Sequence, residues 1–170
     1  SIYNLSFRET GGFNVLRMNS DFTLADNNIS FTSALINCDS SVLNIPHIEL
    51  RPDSTGSYSD FISNVHLDIR LDNSHIYTSD LAHFIPAVKQ MHESAFITVR
   101  VFGTIAELRG RDINITYREN SKIDCDFDLS GLPDIANSFI YLGVNQLTTN
   151  ASDIQKLNLP GKGSNHLQDV

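Results

Sequence analysis

Three carboxylates at alternate positions, Asp124, Asp126 and Asp128, make the spacing in this chain that most invites a chemical reading. Asp-x-Asp-x-Asp opens a calcium loop, but that loop needs Gly at its sixth position and Glu at its twelfth. Here those positions are Leu129 and Ile135. On a strand the three carboxylates would stand about 7 Å apart along one face, which predicts a solvated acidic stripe and not an ion site. The six histidines, His47, His66, His75, His83, His92 and His166, show no zinc spacing. His83 and His92 are nine apart, with no H-E-x-x-H and no paired Cys nearby. They are expected at the surface or at strand rims.

Cys38 and Cys125 are too few for a disulfide framework. They read as two buried thiols, with a single bridge as the alternative in an oxidising compartment. Nothing marks Cys38 as an activated nucleophile. No Gly-rich phosphate cradle, no G-x-S-x-G elbow and no Ser/His/Asp arrangement is present. Asn-x-Ser/Thr sequons at Asn4, Asn28, Asn114 and Asn150 are expected by chance in a chain this rich in Asn, Ser and Thr. The expectation is a protein with no catalytic residues, no metal and no cofactor: not an enzyme.

The elements that would position any site follow from pattern. At 170 residues a single domain is the default. With 12 Lys+Arg against 20 Asp+Glu, the net charge of −8 excludes an electrostatic footprint for nucleic acid. No apolar run approaches the ~20 residues that span a bilayer. The opening Ser1-Ile2-Tyr3-Asn4 lacks the basic region and cleavage site of a signal peptide.

Alternation with period two is the strongest signal, and it places apolar side chains on one face of a strand. In Phe61–Arg70 one face carries Phe61, Ser63, Val65, Leu67 and Ile69. Residues 95–105 put Ile97, Val99, Val101 and Ile105 together, and Arg111–Arg118 does the same with Ile113, Ile115 and Tyr117. Lys122–Ser130 sets Ile123, Cys125, Phe127 and Leu129 against Lys122 and the three aspartates. One greasy face and one wet face belong to antiparallel sheet. Further strands are expected at Ser1–Arg8, Phe13–Asn19, Phe22–Ala25, Ile29–Asn37, Val42–Leu50, His75–Thr78 and Phe139–Leu147.

Turn chemistry separates them, at Gly11-Gly12, Asp26-Asn27-Asn28, Asp39-Ser40-Ser41, Asp72-Asn73, Gly110 and Glu119-Asn120, with a longer loop over Arg51–Asp60. About ten short strands at this spacing predict an all-β architecture. Residues 1–159 form one β-rich module, and 160–170 read as a flexible tail.

Helical turns are few. Ser79-Asp80 is expected to cap a turn over Leu81–Val88 that Pro86 divides, and Ser152-Asp153 to cap Ile154–Leu157. These two places match: each runs strand, hydroxyl residues, Ser-Asp, aliphatic, at a separation of 153 − 80 = 73 residues. They read as a two-copy repeat.

The remaining candidate site is the apolar face itself. It closes against a second sheet in a β-sandwich, or it lines an open trough for acyl chains. Patterning by itself favours the sandwich, in which case the chain would be a binding or adhesion domain for carbohydrate or protein; the absence of Trp counts against that use.

Leu129-Ser130-Gly131-Leu132-Pro133-Asp134, then Phe139-Ile140-Tyr141, then Leu147-Thr148-Thr149 with Ser152-Asp153-Ile154, resembles the TamB/AsmA-like family, most closely Bacteroidetes-type relatives of the translocation and assembly module TamB. Ser79-Asp80-Leu81-Ala82-His83-Phe84-Ile85-Pro86-Ala87 and Leu5-Ser6-Phe7-Arg8-Glu9-Thr10-Gly11-Gly12-Phe13 are similar to the same family's elements. The resemblance implies an internal slice of a long envelope protein whose membrane anchor lies outside this chain. It implies a curled, half-pipe antiparallel sheet with a hydrophobic groove, a periplasmic setting, and a non-enzymatic role in phospholipid transport or outer-membrane protein assembly. Implied partners are phospholipid acyl chains, and an outer-membrane assembly protein through regions outside this chain. The groove residues it implies are Val65, Leu67, Ile69, Ile97, Val99, Val101, Ile113, Ile115, Ile123, Phe127 and Leu129.

Overall fold

The computed structural model describes residues 1–8, 12–25, 27–54, 57–83, 88–134 and 137–156. Nine strands run in chain order β1 (Ile2–Arg8), β2 (Asn14–Ala25), β3 (Asn28–Cys38), β4 (Val42–Pro52), β5 (Val65–Tyr77), β6 (Ser94–Thr104), β7 (Glu107–Tyr117), β8 (Ser121–Ser130) and β9 (Phe139–Thr148). They form a single antiparallel meander in which each strand pairs with its sequence neighbours. The ends do not meet, so the sheet is curled and open, as the all-β expectation of a half-pipe requires. No second sheet lies opposite it among the described residues, and the closed β-sandwich is set aside.

Three short α-helical turns, α1 (Phe61–Asn64), α2 (Thr78–Leu81) and α3 (Ala151–Lys156), and a 3-10 turn over Ser57–Asp60 complete the described fold. Phe61–Asn64, expected as strand, is the α1 turn, and its Ile62 carbonyl accepts from Ala106 N at 3.1 Å in the β6–β7 turn. The Ala106 carbonyl in turn accepts from Gly131 N at 3.0 Å. Three connections at one end of the sheet are thereby laced together. The second half of the expected helical run after Ser79-Asp80, at 84–87, and the tail at 160–170 lie outside the described residues.

Two pairs of expected strands are continuous. Phe13–Asn19 and Phe22–Ala25 merge into β2, and Val65–Arg70 joins His75–Tyr77 across Asp72-Asn73 in β5. Asp72-Asn73 is a bulge and not a turn. Gly110, also expected as a break, lies inside β7 opposite Phe127. A Cβ there would run into that ring, so the glycine makes room for an aromatic on its own face.

The bulge at Asn73 is one of a series. At mid-length β1, β3, β5, β7 and β9 each carry one residue more than the partner strand. The extra residues centre on Asn4, Ser33, Asn73 and Asp112, all at positive φ, and on Asn145 between the paired Val144 and Gln146. Short polar side chains tolerate that backbone region best. A bulge leaves a backbone donor without its ladder partner, and side chains of the next strand replace it. Asn19 Oδ1 accepts from Asn4 N at 2.9 Å, Thr98 Oγ1 from Asn73 N at 3.0 Å, and Asp126 Oδ1 from Asp112 N at 3.1 Å. Each bulge bends its strand and increases local twist, and a line of them across every second strand curls the sheet.

The acidic stripe is therefore partly structural. Asp126 also accepts from Asn145 Nδ2 at 3.3 Å, and Asp128 pairs with Arg111 at 2.6 Å.

Candidate functional site: the apolar inner face

Strand register assembles the face residue by residue. Leu24, Ile29, Leu50, Leu67, Gly103, Leu108, Leu129 and Ile140 are successive partners across eight strands. Phe22, Phe31, Ile48, Ile69, Val101, Gly110, Phe127 and Leu142 form the next row. All eleven residues implied as groove-lining fall on this one face. Sequence reasoning stopped at β5–β8 and missed its continuation through Leu24, Ile29, Phe31, Ile48 and Leu50 on one side and Leu142 and Val144 on the other. The alternation was present there too, interrupted by bulges.

Burial divides the face. Val99 and Ile113 are 9% and 7% exposed and make a small core with Cys125, against which Leu71, Ile97, Val101, Ile115, Ile123 and Phe127 pack. Val65 is fully buried. Leu67, Ile69 and Leu129 are half-buried and the row ends Leu24, Phe22, Ile140 and Leu142 are exposed, with no second sheet above them among the described residues. The apolar face carries the buried residues of the sheet, and the polar face carries the exposed Arg70, Arg100, Arg109 and Asp112.

The polar face carries cross-strand ion pairs. Arg100 grips Asp68 through two bonds of 3.0 and 2.6 Å, which holds the Asp68 carboxyl below the usual carboxylate range. Arg118 reaches both oxygens of Glu93 at 3.1 Å and the Tyr117 hydroxyl at 2.7 Å. Exposed pairs of this kind contribute little each, because water and salt screen them. A depression of about 330 Å³ among Arg51, His66, Arg100, Arg109 and Glu107 lies on this polar face, with charges of both signs.

The histidines do not converge. His75 stacks on Phe96 at 4.5 Å and lies 3.0 Å from Ser94 Oγ, His66 meets Asp53 at 3.1 Å, and His83 sits against Phe13. No group of His, Cys, Asp and Glu that could hold a metal ion occurs among the described residues.

At one end of the sheet the Ser-Asp repeat takes a definite form. Asp80 and Asp153, each the third residue of its helical turn, are buried. Asp80 Oδ2 accepts from Ser40 N at 3.1 Å and Ser41 N at 2.6 Å, and Ser41 Oγ accepts from Tyr77 N at 2.9 Å. Asp153 Oδ2 accepts from Ser121 Oγ at 2.7 Å. In both copies the turn after an odd strand reaches back to the serine at the start of the preceding even strand. Neither Ser-Asp is a helix cap as expected: α2 has no side-chain cap, and α3 is capped by Asn150, whose Oδ1 accepts from Asp153 N at 2.8 Å.

Cys38 and Cys125 are free and buried, on β3 and β8. Burial, with Asp80 and Asp39 adding to it, pushes the Cys38 thiol up to about 11. A thiol whose folded pKa lies above its ordinary 9.0 stabilises the fold below that pH, and the contribution is lost as pH rises towards the folded value. Both cysteines are expected to resist a disulfide-exchange reagent at about pH 8 and to react at once in denaturant, because only the thiolate attacks. Rapid labelling of the folded chain would contradict this burial.

Comparison with protein-family models, with curated proteins and with solved structures finds no match to this chain.

Proposed function

We propose that this chain is a non-enzymatic section of a cell-envelope trough that holds phospholipid acyl chains. In this reading it serves phospholipid transport between membranes, outer-membrane protein assembly, or both. The observation that carries the reading is an apolar face, continuous across eight strands and without a facing sheet among the described residues. An acyl chain laid along such rows gains up to about 0.8 kcal/mol for each methylene it takes out of water. Interchangeable aliphatic side chains in series give many weak, similar sites, which suits movement along a surface better than capture in one pocket.

The periplasmic setting, the anchor outside this chain and contact with an outer-membrane assembly protein through other regions rest on the resemblance to the TamB/AsmA-like family. Leu67 and Leu129, half-buried in one row, are the positions at which to test the trough. Native mass spectrometry of the purified chain, before and after incubation with phosphatidylethanolamine, is expected to show bound lipid. The double variant Leu67→Asp/Leu129→Asp is expected to lose at least tenfold in lipid occupancy, since about 1.4 kcal/mol is a factor of ten, while keeping its β-sheet circular dichroism. A clean apo mass with no uptake in the unaltered chain overturns the reading.

A further inference from the structure

The polar face holds charged groups that the fold itself does not use. Arg8, Arg17, Arg100, Arg111 and Arg118 are each hydrogen-bonded through the side chain. Arg51 on β4 and Arg109 on β7 make no side-chain bond to another described residue, and neither does the Glu107 carboxylate. All three are exposed, and all three border the depression of about 330 Å³. Register sets them around it: Arg51 is opposite His66, Glu107 opposite Thr104, and Arg109 opposite Phe102. The other carboxylates there are engaged, Asp68 by Arg100 and Glu49 by Asn28 Nδ2 at 3.2 Å. Glu107 and Arg109 alternate on one face of β7, about 7 Å apart along the strand, and do not pair with each other.

We infer that this depression binds an aminoalkyl phosphate, a zwitterion whose phosphate and primary ammonium are joined by a short carbon linker. Guanidinium forks match phosphate oxygens. Arg51 and Arg109 flank the depression from walls three strand spacings apart, about 14 Å between backbones, within which long side chains can close on one phosphate. Glu107, beside Arg109, accepts from the ammonium. Phe102 is half-buried between the walls and gives the linker methylenes an apolar surface. Charge selects a zwitterion over a simple anion. The unpaired groups are of both signs, and a chain of net charge −8 repels a multiply charged anion more than a ligand whose charges nearly cancel. The same chemistry occurs in a free aminoalkyl phosphate and in a phosphatidylethanolamine headgroup. The site lies on the polar face and does not depend on the trough.

Titration calorimetry of the full chain with phosphoethanolamine is expected to show saturable binding at one site. Ethanolamine and inorganic phosphate, each half of the recognised group, are expected to bind at least tenfold more weakly. Arg51→Gln/Arg109→Gln is expected to lose at least tenfold in affinity, and Glu107→Gln to bring phosphoethanolamine down to the level of inorganic phosphate. None of the three side chains holds another residue, so circular dichroism and the urea midpoint are expected to stay unchanged. Arg118→Gln, outside the depression, is expected to leave binding as it is. Flotation with phosphatidylethanolamine vesicles separates the two sources. Flotation abolished by Arg51→Gln/Arg109→Gln assigns a lipid headgroup, whereas flotation that this variant keeps belongs to the apolar face and leaves a soluble ligand for the depression. Absence of saturable phosphoethanolamine binding overturns the inference. So do equal binding of inorganic phosphate, binding retained by the arginine variant, and binding lost in Arg118→Gln.

Discussion

Val99→Asp is expected to cost at least about 3 kcal/mol, the range for a buried charge with no partner. Against a total stability of about 5–15 kcal/mol, that is enough to unfold much of the chain. Val99 sits at 9% exposure with Ile113 and Cys125 beneath the curl, and no Lys or Arg ion pair involves this cluster. The thiol of Cys125 offers a carboxylate only a weak donor.

Ile115→Asp is expected to cost distinctly less, since Ile115 is half-buried and its replacement can turn towards solvent. Urea unfolding followed by circular dichroism checks the order. Equal costs at the two positions would mean that the cluster is not the packed centre of the sheet. The same difference separates packed from accessible positions on this face: Val99 and Ile113 are buried, and Leu67 and Leu129 are half-buried.

Asp80→Ala is the second large effect, expected at about 3 kcal/mol. It strips the acceptor from two backbone donors, Ser40 N and the buried Ser41 N. Each buried donor left unpaired costs about 1–3 kcal/mol, and bonds to a charged acceptor lie at the upper end. Asp153→Ala is expected to cost about half as much, because the Ser121 hydroxyl it releases can still bond Thr149 Oγ1, 2.8 Å away.

A second readout distinguishes loss of this latch from general loosening. The Asp80 charge adds to the burial that raises the Cys38 thiol, so Asp80→Ala is expected to speed Cys38 labelling while Cys125 stays protected. Amide exchange at Ser40 and Ser41 should accelerate in step. Unchanged unfolding together with unchanged exchange would show that Asp80 does not hold this end of the sheet.

Much of the fold was legible in the residues, for a local reason. In a strand, side chains alternate faces, so one wet and one greasy face are written into Lys122–Ser130 without reference to anything distant. The Ser-Asp match between Asp80 and Asp153 was visible for a related reason, because two equivalent turns need the same buried acceptor at the same step. Bulges hid the rest. One added residue at Asn73 reverses the parity of β5, so a single strand reads as two with a turn between them, and the same break obscured how far the apolar rows extend.

Composition and alternation by themselves determined that the chain is all-β, antiparallel and two-faced, and which residues belong to the oily side within β5–β8. Tertiary structure alone decided that the nine strands make one sheet instead of two, that Val99 is buried while Leu67 is half-buried, and that the sheet bends along a line of bulges. Alternation states only that a face prefers to leave water. Whether another layer arrives to cover it depends on chain packed from far away in sequence, and short-range periodicity holds no record of that.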